Sequence, residues 1–461
     1  MTQSPLSDRM SSGELHAAVS LAIIFFLRML GLFLLLPVFS PQAIDLEDAT
    51  LKLVGIAAGA YGLTQALLQI PFGTLSDRFG RKPTITVGLL VFGLGSAVAA
   101  LSNSIYGVII GRALQGAGAI SAAIMALAAD LTREEHRTKA MALIGMSIGL
   151  AFALAFVLAP AVNQWRGLHG VFWTSAALAL CALVILHWRI PTPSQSHHHR
   201  ECEADARDIG AIVRDPELLR LNAGIFFLHM ILIASFIAIP LALREEVGLP
   251  LEHHWYIYLP VLVLSVALML PFVRRADKHG GRRPYFLLAV IALGVSQLGL
   301  WLGYKSLIEL FLALLLFFTA FNFLEASLPA LVSKAAPADR RGTALGIYST
   351  SQFLGTFIGG ICGGWLSHSY GLASVFLFCA VTTVAWWALA VGMREPEPVV
   401  VYLLRLGALN GRTVNEVTAR LLEVSGVKEA VVIAEEGIAY LKVNPSLLDR
   451  RSLEAIANAP S

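Results

Sequence analysis

Residues 71–83 read PFGTLSDRFGRKP, a short and densely charged segment between two long apolar runs. Residues 271–284 read PFVRRADKHGGRRP and repeat the Pro-Phe start, the acid followed by a base, and the ending of glycine, two basic residues and proline. The second copy carries one extra residue, Gly281. A charged motif that recurs at half-chain distance between apolar runs indicates an internally duplicated membrane protein.

The composition points to the same class. Of the 461 residues, 56% are hydrophobic and 14% are charged, and the mean hydropathy of +0.70 is well above that of soluble domains. Twelve continuous apolar runs are long enough to cross a bilayer, which takes about 20 residues each. The runs are 17–39, 52–74, 84–101, 105–129, 138–161, 168–188, 219–243, 254–273, 284–303, 307–332, 342–366 and 371–393. We therefore predict an all-α membrane protein of two pseudo-symmetric six-helix bundles.

The basic residues predict the orientation. The short loops that follow even-numbered runs carry fourteen Lys and Arg, whereas the loops that follow odd-numbered runs carry four. Because Lys and Arg concentrate in cytoplasmic loops, both termini and the long central loop are expected in the cytoplasm of a bacterial inner membrane. The basic residues are thereby explained by membrane topology, and we expect no nucleic-acid partner.

Predicted helices 5 and 11 each carry a stripe of small residues at every fourth position. The stripes are Ser147, Ala151, Ala155 and Ala159, and Ser351, Gly355, Gly359 and Gly363. Small residues at this spacing let two helix backbones approach closely within lipid. We expect both helices to form close-packed seams.

Composition divides the chain into five segments: a first bundle at 1–189, a cytoplasmic central loop at 190–218, a second bundle at 219–393, a stiff Pro-Glu linker at 394–398 and a cytoplasmic domain at 399–461. Within the central loop, residues 202–214 can form a short amphipathic helix. In the last segment, strands are expected at 399–406, 427–433 and 438–443, and helices at 413–423 and 446–457. This β-α-β-β-α order predicts a small ferredoxin-like α+β domain.

The motif residues resemble those of the major facilitator superfamily across roughly 1–393. The positions that match the helix 2–3 motif of that family are Gly73, Leu75, Asp77, Arg78, Gly80, Arg81 and Lys82. A second motif, frequent in proton-coupled members, is similar to Gly111, Arg112, Gln115, Gly116 and Gly118 in predicted helix 4. With the C-terminal ferredoxin-like (YAM-type) module, the chain is similar to the bacterial YajR subfamily, whose members resemble drug efflux carriers.

The resemblance implies that the charged motif is a conformational latch. It places Asp77 at the N-terminal end of predicted helix 11, near Gly342, and pairs Arg81 with an acid at the end of predicted helix 4. A carboxylate is stabilised at a helix N-terminus by about 0.3–1 kcal/mol. Asp130 is the acid in the fitting position. The alternative is a plain basic loop that only fixes the orientation.

Four ionisable residues fall inside predicted membrane helices, namely Arg28, Arg112, His229 and Glu325. Such residues are costly in lipid and usually functional, so we assign them to proton coupling. Burial disfavours the charged form of Glu325, and a cation such as Arg28 would favour it. The alternatives for Glu325 are a structural role or a substrate contact, and for His229 hydrogen-bonded packing.

A polar stripe runs along predicted helix 2, where Tyr61, Gln65 and Gln69 follow one another at four-residue spacing. Such a stripe is expected to face a substrate cavity, with helix–helix hydrogen bonding as the alternative. Gln115, and Asn322 on the same helix face as Glu325, complete the predicted cavity set.

No nucleotide-binding loop of the G-x-x-x-x-G-K-[ST] kind is present, so an ion gradient is the expected power source. The four cysteines show no metal-ligand spacing, and residues 407–412 of the C-terminal domain lack the Cys-x-x-Cys of metal chaperones. We therefore expect no cofactor, no metal and no enzymatic activity.

The predicted function is alternating-access transport, with proton-coupled efflux of a drug-like or metabolite-sized molecule. The alternatives are proton-coupled uptake, or a transporter-derived sensor or scaffold whose C-terminal domain self-associates or makes regulatory contacts.

Overall fold

The computed structural model describes residues 10–191, 209–278, 282–337, 340–394, 400–406, 413–433, 437–444 and 447–457. Twelve long helices occur within these ranges. They are α1 Ser12–Phe33, α2 Leu51–Phe79, α3 Arg81–Leu101, α4 Ile105–Asp130, α5 134–165, α6 168–189, α7 Pro216–Leu241, α8 Trp255–Lys278, α9 Arg282–Gly303, α10 Leu307–Ala335, α11 Arg341–Tyr370 and α12 Leu372–Val391.

The twelve-helix membrane architecture is confirmed. Ten helical stretches of the described residues are long and apolar enough to cross a membrane, and one of them, His136–Arg189, contains both α5 and α6. These two helices are separated by non-helical backbone at Arg166 and Gly167. The remaining long helix, α11, is not among these stretches. It is 30 residues long but richer in glycine and polar residues.

Several boundaries differ from the expected ones: the first helix ends at Phe33 rather than 39, and the last helix of the chain begins at Arg450 rather than 446. Two further differences lie beside the cavity. The charged motif was expected to be a loop, but α2 continues through it to Phe79. Only Gly80, with φ of 96°, is non-helical between α2 and α3. α4 is interrupted between Ala117 and Ser121. The backbone of Gly118 lies against the carbonyl oxygen of Gly88 in α3, where a side chain would collide.

Each set of six helices encloses its own hydrophobic core. In the second set, the stripe on α11 lies directly against the α7 backbone, since a Cβ atom at Gly359 or Gly363 would meet Met230 or Ala234. In the first set, Ala151, Ala155 and Ala159 of α5 are fully buried in the core. The small residues therefore allow close packing within each half of the molecule.

A second row of glycines joins the two halves. A Cβ atom at Gly59 of α2 would lie 2.7 Å from the carbonyl oxygen of Phe357 in α11, and one at Gly62 would lie 2.6 Å from that of Phe353. This contact involves the N-terminal part of α2 and the part of α11 from Phe353 onward. Nearby, Arg244 donates to the carbonyl of Pro41 at 2.6 Å, again across the halves.

The helix bundle has two distinct ends. The charged-loop end is the end at which α2 finishes, α10 finishes and α11 begins; the opposite end is the end at which α2 begins and α11 finishes. The glycine contact between α2 and α11 closes the opposite end.

The C-terminal region forms a three-stranded antiparallel sheet with two helices. The elements are β1 Val400–Arg405, α13 Val414–Leu422, β2 Val427–Ile433, β3 Ile438–Val443 and α14 Arg450–Ala457, and the strand order is β1-β3-β2. Leu441 of the central strand pairs with Tyr402 on one side and Ala430 on the other. The order of elements is the expected one, and Thr413 with Glu416 forms a capping box at the start of α13.

The sheet also contacts the membrane region. Lys442 is 4% exposed, and its ammonium group donates to the carbonyl of Ala336, the C-cap of α10. Its other partner is Glu429 on β2, at 3.3 Å. A lysine is favoured at a helix C-terminus because of the negative end of the helix dipole.

Several expected features lie outside the described residues, wholly or in part. They are the linker at 395–398, residue 399 of the first expected strand, the loop at 407–412, residue 446 of the last expected helix, residues 279–281 of the second motif copy and residues 202–208 of the central-loop helix. The remainder of that helix is observed as Ile209–Arg214.

Candidate functional site

A cavity of about 1110 Å³ lies between the two halves. Its walls come from α1, α2, α4 and α5 on one side and from α7, α8, α10 and α11 on the other. It extends to the charged-loop end, where Asp77, Arg81 and Gly342 line it. This is a cavity of the size that takes a drug-sized molecule.

Aromatic rings pack together toward the opposite end. Phe156 of α5 contacts Phe236 of α7 at 5.2 Å and Tyr258 of α8 at 5.1 Å between ring centroids, and Phe152 contacts Phe318 of α10 at 6.1 Å. These edge-to-face contacts join α5 to the second half. Sequence reasoning missed this cluster; the run of five phenylalanines between residues 311 and 323 was the available signal.

The charged motif is held by a network at the charged-loop end. Arg81 donates to Asp130 at 3.2 Å and to Ser76 at 3.2 Å, and it also pairs with Asp77 one turn earlier. The side chains of Arg81 and Asp130 are 2% and 0% exposed. The structure thus brings Arg81 and Asp130 together, whereas Asp77 and Gly342 share the cavity wall.

The remaining motif residues have separate positions. Lys82 donates to the carbonyl of Ile190 at 2.8 Å, and Arg78 is exposed, with its guanidinium 5.7 Å from the ring of Phe79. Gly73 lines the cavity. A further ion pair, between Glu14 of α1 and Arg133, has hydrogen bonds of 2.9 and 3.0 Å and was not anticipated.

Two buried arginines flank Tyr61 in the first half. Arg28 donates to the Tyr61 hydroxyl at 3.1 Å, to Gln65 at 2.9 Å and to the carbonyl of Gly118 at 3.0 Å. Gln65 in turn donates to Gln69 at 2.9 Å. The expected polar stripe of α2 is therefore partly a helix–helix network, although Tyr61 and Gln69 also line the cavity.

Arg112 lies on the other side of the same tyrosine. It donates to Gln115 at 2.8 Å, and its guanidinium carbon is 5.0 Å from the centre of the Tyr61 ring. Weaker contacts of 3.4 Å reach the carbonyls of Ala57 and Ala58. The positive charge of Arg112 is therefore surrounded by acceptors of its own half.

The second half presents a different group of side chains to the cavity. Glu325 of α10 lies 3.9 Å from Nδ1 of His229 of α7, and Gln352 of α11 donates to Nε2 of the same imidazole at 2.7 Å. Tyr348 completes the group.

These polar atoms are unsatisfied in the part of the chain that the structure describes. Oε2 of Glu325, Nδ1 of His229 and the hydroxyl of Tyr348 are buried and have no hydrogen-bond partner there. The side chain of Glu325 as a whole is 39% exposed, toward the cavity. Buried polar groups without a protein partner are uncommon, and all three of these residues line the cavity.

The partners of Glu325 differ from those expected. His229, rather than Arg28, is the basic side chain beside it, while Arg28 bonds within the first half. Asn322 lines the cavity but donates to Ser265 at 3.2 Å. Tyr348 and Gln352 were missed, although with Thr356 they repeat the four-residue spacing that identified the stripe on α2.

Two helical halves around a cavity that reaches one face of the bundle are the architecture of a membrane transport protein. The family model of the Major Facilitator Superfamily matches residues 21–270 and 237–406. The chain belongs to this superfamily and is a multi-pass membrane transporter.

Named relatives and solved structures agree with this assignment. The chain is 43% identical over 447 residues to the inner membrane transport protein YajR of Escherichia coli (strain K12). This alignment covers 97% of the present chain and 98% of the relative. It is 26% identical over 348 residues to the multidrug resistance protein MdtH of Yersinia enterocolitica, covering 74% and 84% respectively. An inward-facing bacterial homolog of the human lysosomal transporter Spinster has the same fold, with a TM-score of 0.70 at 14% identity over 83% of this chain and 97% of that one.

Proposed function

We propose that the protein is a proton-coupled efflux carrier for small molecules that works by alternating access. The observation that carries this proposal is the position of Glu325, a carboxylate on the wall of the central cavity whose Oε2 accepts no hydrogen bond from the described residues. A carboxylate that is accessible from a cavity between two moving halves can take up a proton on one side of the membrane and release it on the other.

The shape of the cavity supports alternating access. It reaches the charged-loop end, while the glycines of α2 and α11 and the aromatic cluster close the opposite end. With the charged loops in the cytoplasm, as their Lys and Arg content predicts, this conformation is inward-facing. We assign the bonds of Arg81 with Asp77 and Asp130 to the latch that controls access at this end.

Export is the direction favoured by the relatives. One relative is named a multidrug resistance protein and another an inner membrane transport protein. We extend both descriptions to this chain and place it in a bacterial inner membrane with cytoplasmic termini. Its partners are then the lipid bilayer, a small-molecule substrate and protons.

The domain organisation that we propose has membrane bundles at 1–189 and 219–393, joined by a cytoplasmic segment at 190–218. A linker at 394–398 leads to a cytoplasmic domain at 399–461. The strand order β1-β3-β2 and the two connecting helices support a ferredoxin-like arrangement for that domain. The contact of Lys442 with α10 supports a regulatory role.

The test compares Glu325→Gln with the parent in everted membrane vesicles that are acidified inside. The transported probe is a compound that raises the melting temperature of the purified parent protein. We expect the parent to accumulate this compound when the gradient is imposed, and Glu325→Gln not to respond to the gradient even at compound concentrations that saturate its binding. Glu309→Gln, at an exposed position near the start of α10, is the matched control and should behave like the parent. A gradient response that survives in Glu325→Gln would show that the proton route lies elsewhere, and a gradient that drives the compound out of the vesicles would show uptake.

A further inference from the structure

The charges on the two walls of the cavity are unequal in one respect. The arginines that line the first wall, Arg81 and Arg112, donate to acceptors of their own half, whereas Oε2 of Glu325 on the second wall has no donor within the described residues. We infer that the substrate is a monovalent protonated organic amine with a large apolar body, and that its ammonium group binds Glu325. This inference rests on the proposed carrier function of the same cavity.

The donors around Glu325 do not satisfy it. His229 approaches Oε2 only to 3.9 Å, which is too long for a hydrogen bond, and its other nitrogen lies 2.7 Å from the amide of Gln352. Asn322 donates to Ser265 instead. A carboxylate in this position gains a charge-assisted hydrogen bond when a ligand brings an N–H donor. The hydroxyl of Tyr348 is available to the same ligand as donor or acceptor.

An organic anion meets the opposite situation. Nε and Nη1 of Arg28 have no partner among the described residues, but this arginine is fully buried behind Tyr61 and does not line the cavity. Arg112 is 6% exposed and is bonded to Gln115 and two carbonyls. A carboxylate ligand would have to displace these bonds and would also lie in the same cavity as Glu325. Repulsion between like charges in a site of low dielectric is strong, so anions are disfavoured.

The aromatic lining of the cavity favours a large apolar body for the rest of the ligand. Phenylalanines from both halves line the cavity, among them Phe33, Phe152, Phe236, Phe321 and Phe353. Their faces attract a cation as well as an apolar ring system. A single positive charge can bind Glu325 while the body of the molecule occupies this apolar space of about 1110 Å³.

A second positive charge on the ligand would have no free counter-charge on the described walls of the cavity. The other ionisable groups that line the cavity are His229, Arg112 and, at the charged-loop end, the bonded pair of Asp77 and Arg81. A dication would therefore bury one charge without a partner, which is costly. The same single carboxylate can hold either a proton or the ammonium group, so binding of one displaces the other.

The test uses the purified full-length protein and four probes. They are propranolol, a secondary amine with a naphthyl ring; its quaternary N-methyl derivative; naproxen, a naphthyl carboxylate; and the dication methyl viologen. We expect propranolol to bind most tightly in calorimetric titrations and to release protons into weakly buffered solution. Glu325→Gln should weaken its binding by on the order of 10- to 100-fold, the change expected for loss of a hydrogen bond to a charged group.

Two controls keep the result interpretable. Glu325→Asp retains the charge and should retain the preference for propranolol over naproxen, and a thermal unfolding curve for each variant shows that it is folded. Equal or tighter binding of naproxen, or propranolol affinity that is unchanged in Glu325→Gln, would overturn the inference. Propranolol binding that depends on Glu325 but releases no protons would support the substrate class and contradict proton coupling, so the two proposals fail separately.

Discussion

Gly360 of α11 lies in backbone contact with Gly55 of α2. A Cβ atom at Gly360 would be 2.5 Å from the carbonyl oxygen of Gly55, and one at Gly364, a turn further along α11, would be at the same distance from the carbonyl oxygen of Leu51. These contacts join the two halves only at the end where the cavity is closed. Their separation is therefore required before the cavity can open at that end.

Gly360→Ala should shift the conformational equilibrium away from the inward-facing form. The added methyl group collides with backbone across the halves, a collision of a kind that costs about 1–3 kcal/mol, and separation of α2 and α11 relieves it. The measurement is labelling of a cysteine introduced at Ser349 on the cavity wall, after replacement of the native cysteines. Labelling from the cytoplasmic side should fall, and labelling from the opposite side should rise.

Gly359→Ala is the matched control for this substitution. The neighbouring glycine faces α7 of its own half, so the added methyl collides in every conformation. We expect a lower melting temperature without a change in sidedness. If both variants shifted the labelling equally, the contact between Gly55 and Gly360 would not be the gate.

Arg81→Ala should both destabilise the protein and expose the cavity further to the cytoplasmic side. The side chain is 2% exposed and bonded to Asp130, and loss of hydrogen bonds between charged groups costs about 1.5–3 kcal/mol. Asp77→Asn removes one charge of the network and should change the labelling with a smaller loss of stability. Arg78→Ala, at an exposed position in the same turn, should change the stability by less than about 0.5 kcal/mol. Unchanged cytoplasmic labelling in Arg81→Ala and Asp77→Asn would exclude a latch.

Tyr348→Phe should leave the stability of the unliganded protein unchanged and weaken ligand binding. Its hydroxyl has no partner among the described residues, so its removal costs nothing until a ligand uses it. Tyr258→Phe removes a second unpartnered hydroxyl, in the aromatic cluster, and should affect neither stability nor binding. The two variants are compared by thermal unfolding with and without propranolol; identical ligand-induced shifts would remove Tyr348 from the binding site.

Deletion of residues 399–461 should leave a membrane-inserted and monodisperse helical region. The domain has its own core, built around Leu421, Ala439 and Leu441. The loss of the bond between Lys442 and Ala336 should lower the melting temperature slightly, and Lys442→Met in the full chain should reproduce that decrease. Size-exclusion chromatography and thermal unfolding measure both effects, and aggregation of the truncated protein would contradict independent folding.

The length of the apolar runs was enough to predict the helix count, the repeated motif the two halves, and local strand and helix patterns the order of elements in the C-terminal domain. The extension of α2 through the charged motif was missed because the density of charge suggested a loop. In the structure, Ser76 and Asp77 in the last turns of α2 are bonded to Arg81 at the start of α3. Single-sequence patterns also identify a face of a helix but not its partner. Gly359 and Gly360 are adjacent, yet one contacts α7 and the other α2.

The candidate site shows the same limit. Glu325 and His229 could each be identified as ionisable groups inside membrane helices, but their proximity depends on how α7 and α10 pack. Arg28 likewise bonds within the first half and not to Glu325, in part because the carbonyl of Gly118 is exposed to it at the break in α4. No periodicity in the sequence reveals that break.

The glycines of α11 have a consequence for biosynthesis. Five of them, Gly355, Gly359, Gly360, Gly363 and Gly364, serve close contacts on two faces, and together with the polar residues they make α11 less apolar than the ten helical stretches that qualify as membrane spans. A segment of this kind is a weak insertion signal for the translocon. Only Gly371 separates it from the strongly apolar α12. The two helices are therefore expected to enter the bilayer as a hairpin, with α12 supplying the apolar free energy that α11 lacks.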